Sequence, residues 1–320
     1  MQIEMLFSTL MTNKLQIVIV MAVFVDFMAV YYFLSSASSK GNLFVVRKQE
    51  SFMSNEVRTA NDTSYVLYGD GEIDSNTVKS LHGYIRAMTL RQTPGKPRLT
   101  SRPATVHYSQ IGQSQYVDKL LNGRLNGVFL ECGAYDGETF SNSLFFEIRR
   151  NWTGILIEAS PLQLKSLIQR NRNAFVVRSC LSGTTKPETA KFTLSGGKGG
   201  GLRSLLDKNA IRYFGGASKI NVLPEIYVQC FPLTSILDAL QIHHIDYLSL
   251  DVEGAEIEIL KTIDWTKLTV DIFTIEYAGQ SDKLRDLRAL FNKTGIYREA
   301  GLLPLRMDEK HAQDVVFMHL

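Results

Sequence analysis

Gly127-Val128-Phe129-Leu130-Glu131-Cys132-Gly133-Ala134-Tyr135-Asp136-Gly137 is the stretch on which the reading of this chain turns. A short apolar run ends on a carboxylate. A tight turn with glycines four apart follows, then a polar residue, Thr139 or Ser141, placed to open a helix. Run, acid, glycine turn and helix start are what a nucleotide-type cofactor needs at the carboxyl end of a parallel strand. Gly133 and Gly137 let the backbone approach a ligand where a Cβ would collide, and Glu131 offers an acceptor to a hydroxyl or an ammonium. Glycine after a buried strand is also an ordinary turn. The weight therefore falls on what surrounds it.

Downstream, apolar runs alternate with helical periodicity. Ile155-Leu156-Ile157 stops at Glu158, and Pro161 opens a helix carrying Leu162, Leu164, Leu167 and Ile168. Phe175-Val176-Val177 is a third run, and Tyr247 to Leu250 a fourth core strand, ending at Asp251. A helix over Ala255 to Ile263, the strand Ile272 to Ile275 ending at Glu276, a helix over Lys283 to Phe291 and a final run at Val315 to Met318 complete the pattern. Upstream, Gln113 to Leu121 reads as a helix leading into the first strand. Strands separated by helical segments of this length imply right-handed crossovers and a mostly parallel sheet covered on both faces.

Four runs thus stop at a carboxylate: Glu131, Glu158, Asp251 and Glu276. In an open α/β sheet, ligands bind beyond the carboxyl ends of the strands, near the switch in strand order. Glu158, one βα unit after the glycine turn, stands where an acid takes both ribose hydroxyls. A nicotinamide site favours Gly-x-Gly-x-x-Gly, whereas here the third residue after Gly133 is Asp136. Acid-x-Gly-x-x-x-Gly is the turn of S-adenosylmethionine domains.

Charge and length bound the partners. The 320 residues carry 35 basic and 32 acidic side chains, so no nucleic acid is expected, and no metal-ligand spacing stands out. Leu15 to Leu34 is an apolar stretch of 20 residues whose one charge is Asp26. A helix of that length spans roughly 30 Å, the hydrocarbon thickness, and exceeds the apolar part of a cleaved leader. The chain then divides into a short tail (1–14), a transmembrane signal anchor (15–34), a polar, proline-stiffened stem (35–104) and a folded domain (105–320). Val78, Leu81, Ile85 and Met88 share one helical face inside the stem and suggest a docking helix. Orientation is a tie. Lys40, Arg47 and Lys48 favour a cytosolic domain, whereas glycosylation sequons at Asn61, Asn151 and Asn292 favour the lumen. Cys132 reads as a buried thiol. Cys180 and Cys230 can pair if the chain between them folds back.

Phe129 to Glu138, together with Leu250-Asp251-Val252-Glu253-Gly254-Ala255-Glu256-Ile257-Glu258-Ile259-Leu260, resembles the FkbM methyltransferase domain over Tyr108 to Leu320. Ser109 to Gln113, Ser141-Asn142-Ser143-Leu144 and Trp152 to Ala159 are similar to the Star group of membrane-anchored FkbM-domain proteins. The resemblance implies a class I S-adenosylmethionine-dependent methyltransferase fold, Rossmann-like, with a seven-stranded mostly parallel sheet and its last strand antiparallel. It implies cofactor contacts from Glu131, Gly133, Ala134, Asp136, Gly137, Glu158 and Ala159, with Asp251 and Glu253 on the substrate side. For the Star group it further implies a type II anchor and a lumenal domain. The role would be endoplasmic reticulum-to-Golgi and endosomal transport of membrane-bound growth-factor precursors in epidermal growth factor receptor signalling. Glu131 and Cys132 replace the Asp and hydrophobic residue common in bacterial FkbM enzymes, so the acid is kept.

Methyl transfer needs alignment, plus a base when the acceptor is a hydroxyl. Asp251 or Glu253 is placed for that, while His243 and His244 precede their strand and fall at its far end. The glycine-rich stretch Ser195 to Gly201 reads as a flexible lid. Two functions stand side by side: the Star-like transport role, which the closer wording favours, and an O-methyltransferase acting on a small molecule or glycan.

Overall fold

The computed structural model describes residues 43–45, 67–69, 81–92, 95–100, 107–195, 200–202 and 222–320. The apolar stretch Leu15 to Leu34, the sequon at Asn61 and Gly196 to Gly199 of the glycine-rich stretch lie outside them. Among the described residues, no helix is long and apolar enough to cross a membrane.

The chain forms two compact units. One holds strands β1 (Leu43–Val45) and β2 (Leu67–Gly69), paired antiparallel with Leu43 opposite Gly69. The other holds the described residues from Leu81 onward.

Its centre is strand β4 (Val128–Cys132), an apolar run because both of its faces are covered. Phe129 and Leu130 are fully buried, each worth about 2 kcal/mol relative to exposure. Parallel neighbours β5 (Thr153–Ile157) and β6 (Ala174–Val177) lie on one side of it, β11 (His244–Leu250) and β12 (Thr269–Glu276) on the other. β14 (Asp314–His319) then runs antiparallel beside β12, with β13 (Tyr297–Leu303) outside it. The expected mostly parallel sheet with its last strand antiparallel is therefore present. From β4 the chain builds outward through β5 and β6, then returns to the other side of β4 at β11. The strand order reverses between β4 and β11, and a crevice is expected at their tips.

An eighth strand extends this sheet. β3 (Thr89–Arg91), inside the stretch read as stem, pairs antiparallel with β6 through Thr89–Val177, Leu90–Val176 and Arg91–Phe175. It follows helix α1 (Leu81–Ala87), whose Tyr84 packs edge-on to Phe231 and whose Arg86 donates to the carbonyl of Ala239. The folded domain thus begins before residue 105. Polarity and prolines hid this, because a three-residue edge strand has almost no periodicity to detect.

Helix α2 (Gln113–Leu120) precedes β4 as expected. Helix α3 starts at Leu144 and ends at Arg150, later than either Thr139 or Ser141. The reason is local. Asp136 Oδ1 accepts the N–H groups of Glu138 and Thr139, closing a turn that competes with helix. α4 (Pro161–Gln169) opens on proline at its first position, where the missing N–H costs nothing. The remaining helices are α5 (Leu233–Leu240), α6 (Glu256–Lys261) and α7 (Ser281–Thr294).

A second sheet of four strands is ordered β7 (Cys180–Leu181), β10 (Val222–Phe231), β8 (Glu188–Ser195), β9 (Gly200–Leu202). Cys180 and Cys230 are direct partners in the β7–β10 register and form a disulfide; Cys132 is a buried free thiol.

Candidate functional site

The tips of β4, β5, β11 and β12 open into one crevice of about 560 Å³. Glu131, Glu158, Asp251, Glu253 and Glu276 line it, joined by Asp314 from the start of β14. No Lys, Arg or His among the described residues does so. Gly133, Ala134, Ala159 and the wall residues Cys180, Leu181, Phe192 and Leu202 complete its outline.

The turn after β4 is held to its neighbours by main-chain bonds. The N–H groups of Gly133 and Ala134 both donate to the carbonyl of Ile157, at 3.0 and 3.1 Å, and that of Asp251 donates to Cys132. Gly133 has φ +80, and a Cβ there would lie 2.0 Å from the carbonyl oxygen of Asp251. Glycine is needed at this position for the close approach of β11, beyond any ligand contact. Gly137 has φ +78, a conformation side chains rarely adopt, and its Cβ would also meet the Leu167 side chain at 2.5 Å.

Glu131 is buried and its acceptors are taken. It receives the Ser141 hydroxyl at 2.8 Å, the Asn142 N–H at 2.7 Å, the Ser143 N–H at 3.3 Å and the Ser143 hydroxyl. The acid thus fastens the loop that leads into α3. Arg172, wholly buried, backs this loop by donating to Ser143 Oγ at 2.9 Å and to the carbonyl of Gly137, while pairing with Glu147. Asp136 and Gly137 do not line the crevice. The Asp136 carboxylate is spent on the Glu138 and Thr139 N–H groups and the Thr139 hydroxyl.

Glu158 takes the N–H of Tyr135 on one oxygen and that of Ser160 on the other, both at 2.7 Å. Burial pushes its carboxyl up to about 7, against the pull of N–H groups from Ser160, Tyr135 and Ala159. With three N–H donors on it, the carboxylate keeps lone-pair capacity for a hydroxyl.

On the other side, Asp251 opens to the crevice, yet protein surrounds it closely enough that desolvation raises its pKa well above the carboxylate range. Glu253, Asp314 and Glu256 add to the rise and Lys283 opposes it. Glu276 is raised in the same way, by burial, then Asp251, Glu256 and Glu253. The Lys283 ammonium lies 2.7 Å from Glu256. Burial alone would lower the Lys283 pKa, but Glu256, Glu276 and Asp251 outweigh it and the pKa rises. The ligand atoms of Asp251, Glu256 and Glu276 lie within 4.8 Å of one another, and Lys283 already supplies a positive charge to that group. Glu256 also organises the loop carrying Glu253, by accepting the N–H groups of Val252 at 3.0 Å and Gly254 at 3.2 Å. Glu253 sits at φ +61, a conformation with a steric cost for a non-glycine residue.

Two crevice residues escaped the sequence reading. Asp314, held by Gln113 Nε2 at 3.0 Å and pushed up to about 6 mainly by burial, opens an antiparallel strand. The signal was an acid before the last apolar run, since such a strand starts at the edge where its neighbours end. Asn142 bridges Glu131 and Ser249, donating its side-chain N–H to Ser249 Oγ at 2.9 Å. His244 lies at the opposite end of the sheet, beside Asp246 and Asp271.

No curated protein matches the chain. Among solved structures, it is similar to methyltransferase FkbM from Methylobacillus flagellatus KT, at 14% identity over 61% of this chain and 44% of that one, TM-score 0.36. It therefore spans less than half of that relative's length. It is also similar to precorrin-6y C5,15-methyltransferase from Geobacter metallireducens GS-15 (12% identity, 64% and 86% covered, TM-score 0.34). A third is Aeropyrum pernix fibrillarin in complex with natively bound S-adenosyl-L-methionine (10% identity, 68% and 85% covered, TM-score 0.34). The family model described as the methyltransferase FkbM domain matches residues 131–301, more than half of the chain. This chain belongs to the FkbM methyltransferase domain family.

Proposed function

We propose that this chain is a membrane-anchored protein whose FkbM domain binds S-adenosylmethionine and transfers a methyl group to a hydroxyl of a small molecule or glycan. The observation that carries the reading is the lining of the crevice: carboxylates from neighbouring strand tips converge and no basic side chain joins them among the described residues. Such a surface fits a ligand with a positively charged sulfur and an ammonium, and it repels phosphates. When bound, the cofactor supplies an electrophilic methyl on that sulfur. Glu158 would hold the ribose hydroxyls, and Gly133, Ala134 and Ala159 leave room beside them. Asp251, at the crevice beside Glu253 and Glu276, is placed to take the proton of an acceptor hydroxyl.

A lumenal placement behind a type II anchor at 15–34 is supported by the Cys180–Cys230 disulfide, since such bonds persist in oxidising compartments. Asn151 and Asn292, both in sequons, are exposed. The same observations favour a second reading, the Star-like role: transport of growth-factor precursors between endoplasmic reticulum, Golgi and endosome in epidermal growth factor receptor signalling. The crevice then serves as a binding module.

Calorimetric titration of the full-length chain with S-adenosylmethionine tests the first reading. Saturable heat that Glu158→Ala weakens is expected. Absence of both heat and thermal shift at millimolar ligand would remove it, and retention of a co-expressed growth-factor precursor would then speak for the second.

A further inference from the structure

Two side chains lining the crevice, Asn142 and Ser179, carry a buried polar atom without a hydrogen-bond partner among the described residues, and Asn142 is the one between the tips of β4 and β11. Asn142 is 6% exposed. Its backbone N–H goes to Glu131 and its side-chain N–H to Ser249 Oγ, but its Oδ1 is buried with no hydrogen-bond donor among the described residues. The amide is held by Ser249. Nδ2 donates to Ser249 Oγ at 2.9 Å. With Nδ2 there, the Oδ1 of Asn142 is turned away from that hydroxyl. A buried carbonyl oxygen without a donor loses the hydration it had in the unfolded chain and regains nothing. Asn142 and Ser249 both line the crevice, on the face shared by Glu131 and Asp251.

We propose that Asn142 is a ligand-binding residue, its Oδ1 the acceptor for the ammonium of the methionyl portion of S-adenosylmethionine, between the tips of β4 and β11. The inference rests on the cofactor reading above and adds to it a residue and the group that residue takes. Position supports it: Asn142 is bonded to side chains of both strands that flank the reversal in strand order. Charge supports it independently. The six carboxylates, with no Lys, Arg or His lining the crevice among the described residues, select a cation over a neutral or anionic donor. Glu131 already takes four donors from the loop, three of them on Oε2, so an ammonium beside it needs a further acceptor, and the neighbouring amide oxygen supplies one.

The test compares two ligands on the full-length chain, purified in detergent, by calorimetry. S-adenosylmethionine carries the ammonium; 5′-methylthioadenosine keeps the adenosine and lacks the amino-acid end. Asn142→Leu is expected to weaken S-adenosylmethionine about tenfold and to leave methylthioadenosine unchanged. Asn142→Asp, which keeps an oxygen there, is expected to bind S-adenosylmethionine at least as tightly as the parent. Equal affinity of the parent and Asn142→Leu for S-adenosylmethionine would overturn the proposal. So would an equal loss for both ligands, or a loss in Asn142→Asp matching that in Asn142→Leu, which would make the amide a donor to the carboxylate. If the parent itself binds neither ligand, the cofactor reading falls and this inference with it.

Discussion

At the scale of single residues, the crevice makes its chemistry pH-dependent. Glu158 titrates near 7 in the free protein because burial raises it, and a ribose donating two hydroxyls favours its ionised form. S-adenosylmethionine affinity should therefore hold above pH 7 and fall about tenfold per unit below it. Calorimetry from pH 8 to 5.5 should show the break, and Glu158→Gln should bind more weakly without it. Glu158, Asp251, Glu276 and Asp314 all bind protons more tightly folded than unfolded. Their contribution to stability is thus fullest below the ordinary carboxyl range and declines as pH climbs through their raised values. Lys283 moderates that decline. Lys283→Met strands buried Glu256 and should cost about 3 kcal/mol at pH 8. It should cost less as pH falls and Asp251 and Glu276, whose carboxyls are raised, take up protons, as urea unfolding at pH 8 and at pH 5 would report. Glu131 and Glu158 were legible in the sequence as strand-end acids, but not their different duties. Glu131 is consumed by Ser141, Asn142 and Ser143, and a side chain's partners across a turn leave no periodicity.

At the scale of elements, the order of strands and helices followed from apolar runs and acids, and the boundaries shifted where side chains competed with the backbone, as Asp136 does before α3. The four-stranded sheet is hard to read from the sequence. Its strands pair over spans in which polar residues such as Lys191 and Gln229 hide the alternation. Its disulfide joins residues 50 apart in the chain, and closing a loop of that size stabilises by roughly 4 kcal/mol in the chain-entropy account. Cys230→Ser should lower stability by roughly that amount or somewhat less, measured by thermal unfolding. Because Cys180, Leu181, Phe192 and Leu202 wall the crevice on that side, the same variant should also speed proteolysis of this sheet. Cys132, fully enclosed and with its thiol pKa pushed up by burial, should stay unlabelled by maleimide until the protein unfolds.

At the scale of the whole molecule, the balance between compartments can be read in cells. Expression with and without endoglycosidase should show a mobility change that vanishes when Asn61, Asn151 and Asn292 are all changed to Gln. An unchanged band in the parent would argue against a lumenal domain. The parallel sheet and the place of its crevice were legible because long apolar runs and their terminal acids repeat. The start of the domain was not, since β3 is short and surrounded by polar text. That strand has a practical meaning. By lying along β6, it shields a flank of unsatisfied peptide groups over Ala174–Val177, which would otherwise template pairing with another chain. The far margin, β13, is blunted differently, by a bulge between Glu299 and Gly301 and by charged Arg298. A fragment trimmed to begin at residue 105 would therefore gain a sticky rim and precipitate or polymerise, whereas one begun upstream of Leu81 would stay dispersed under light scattering.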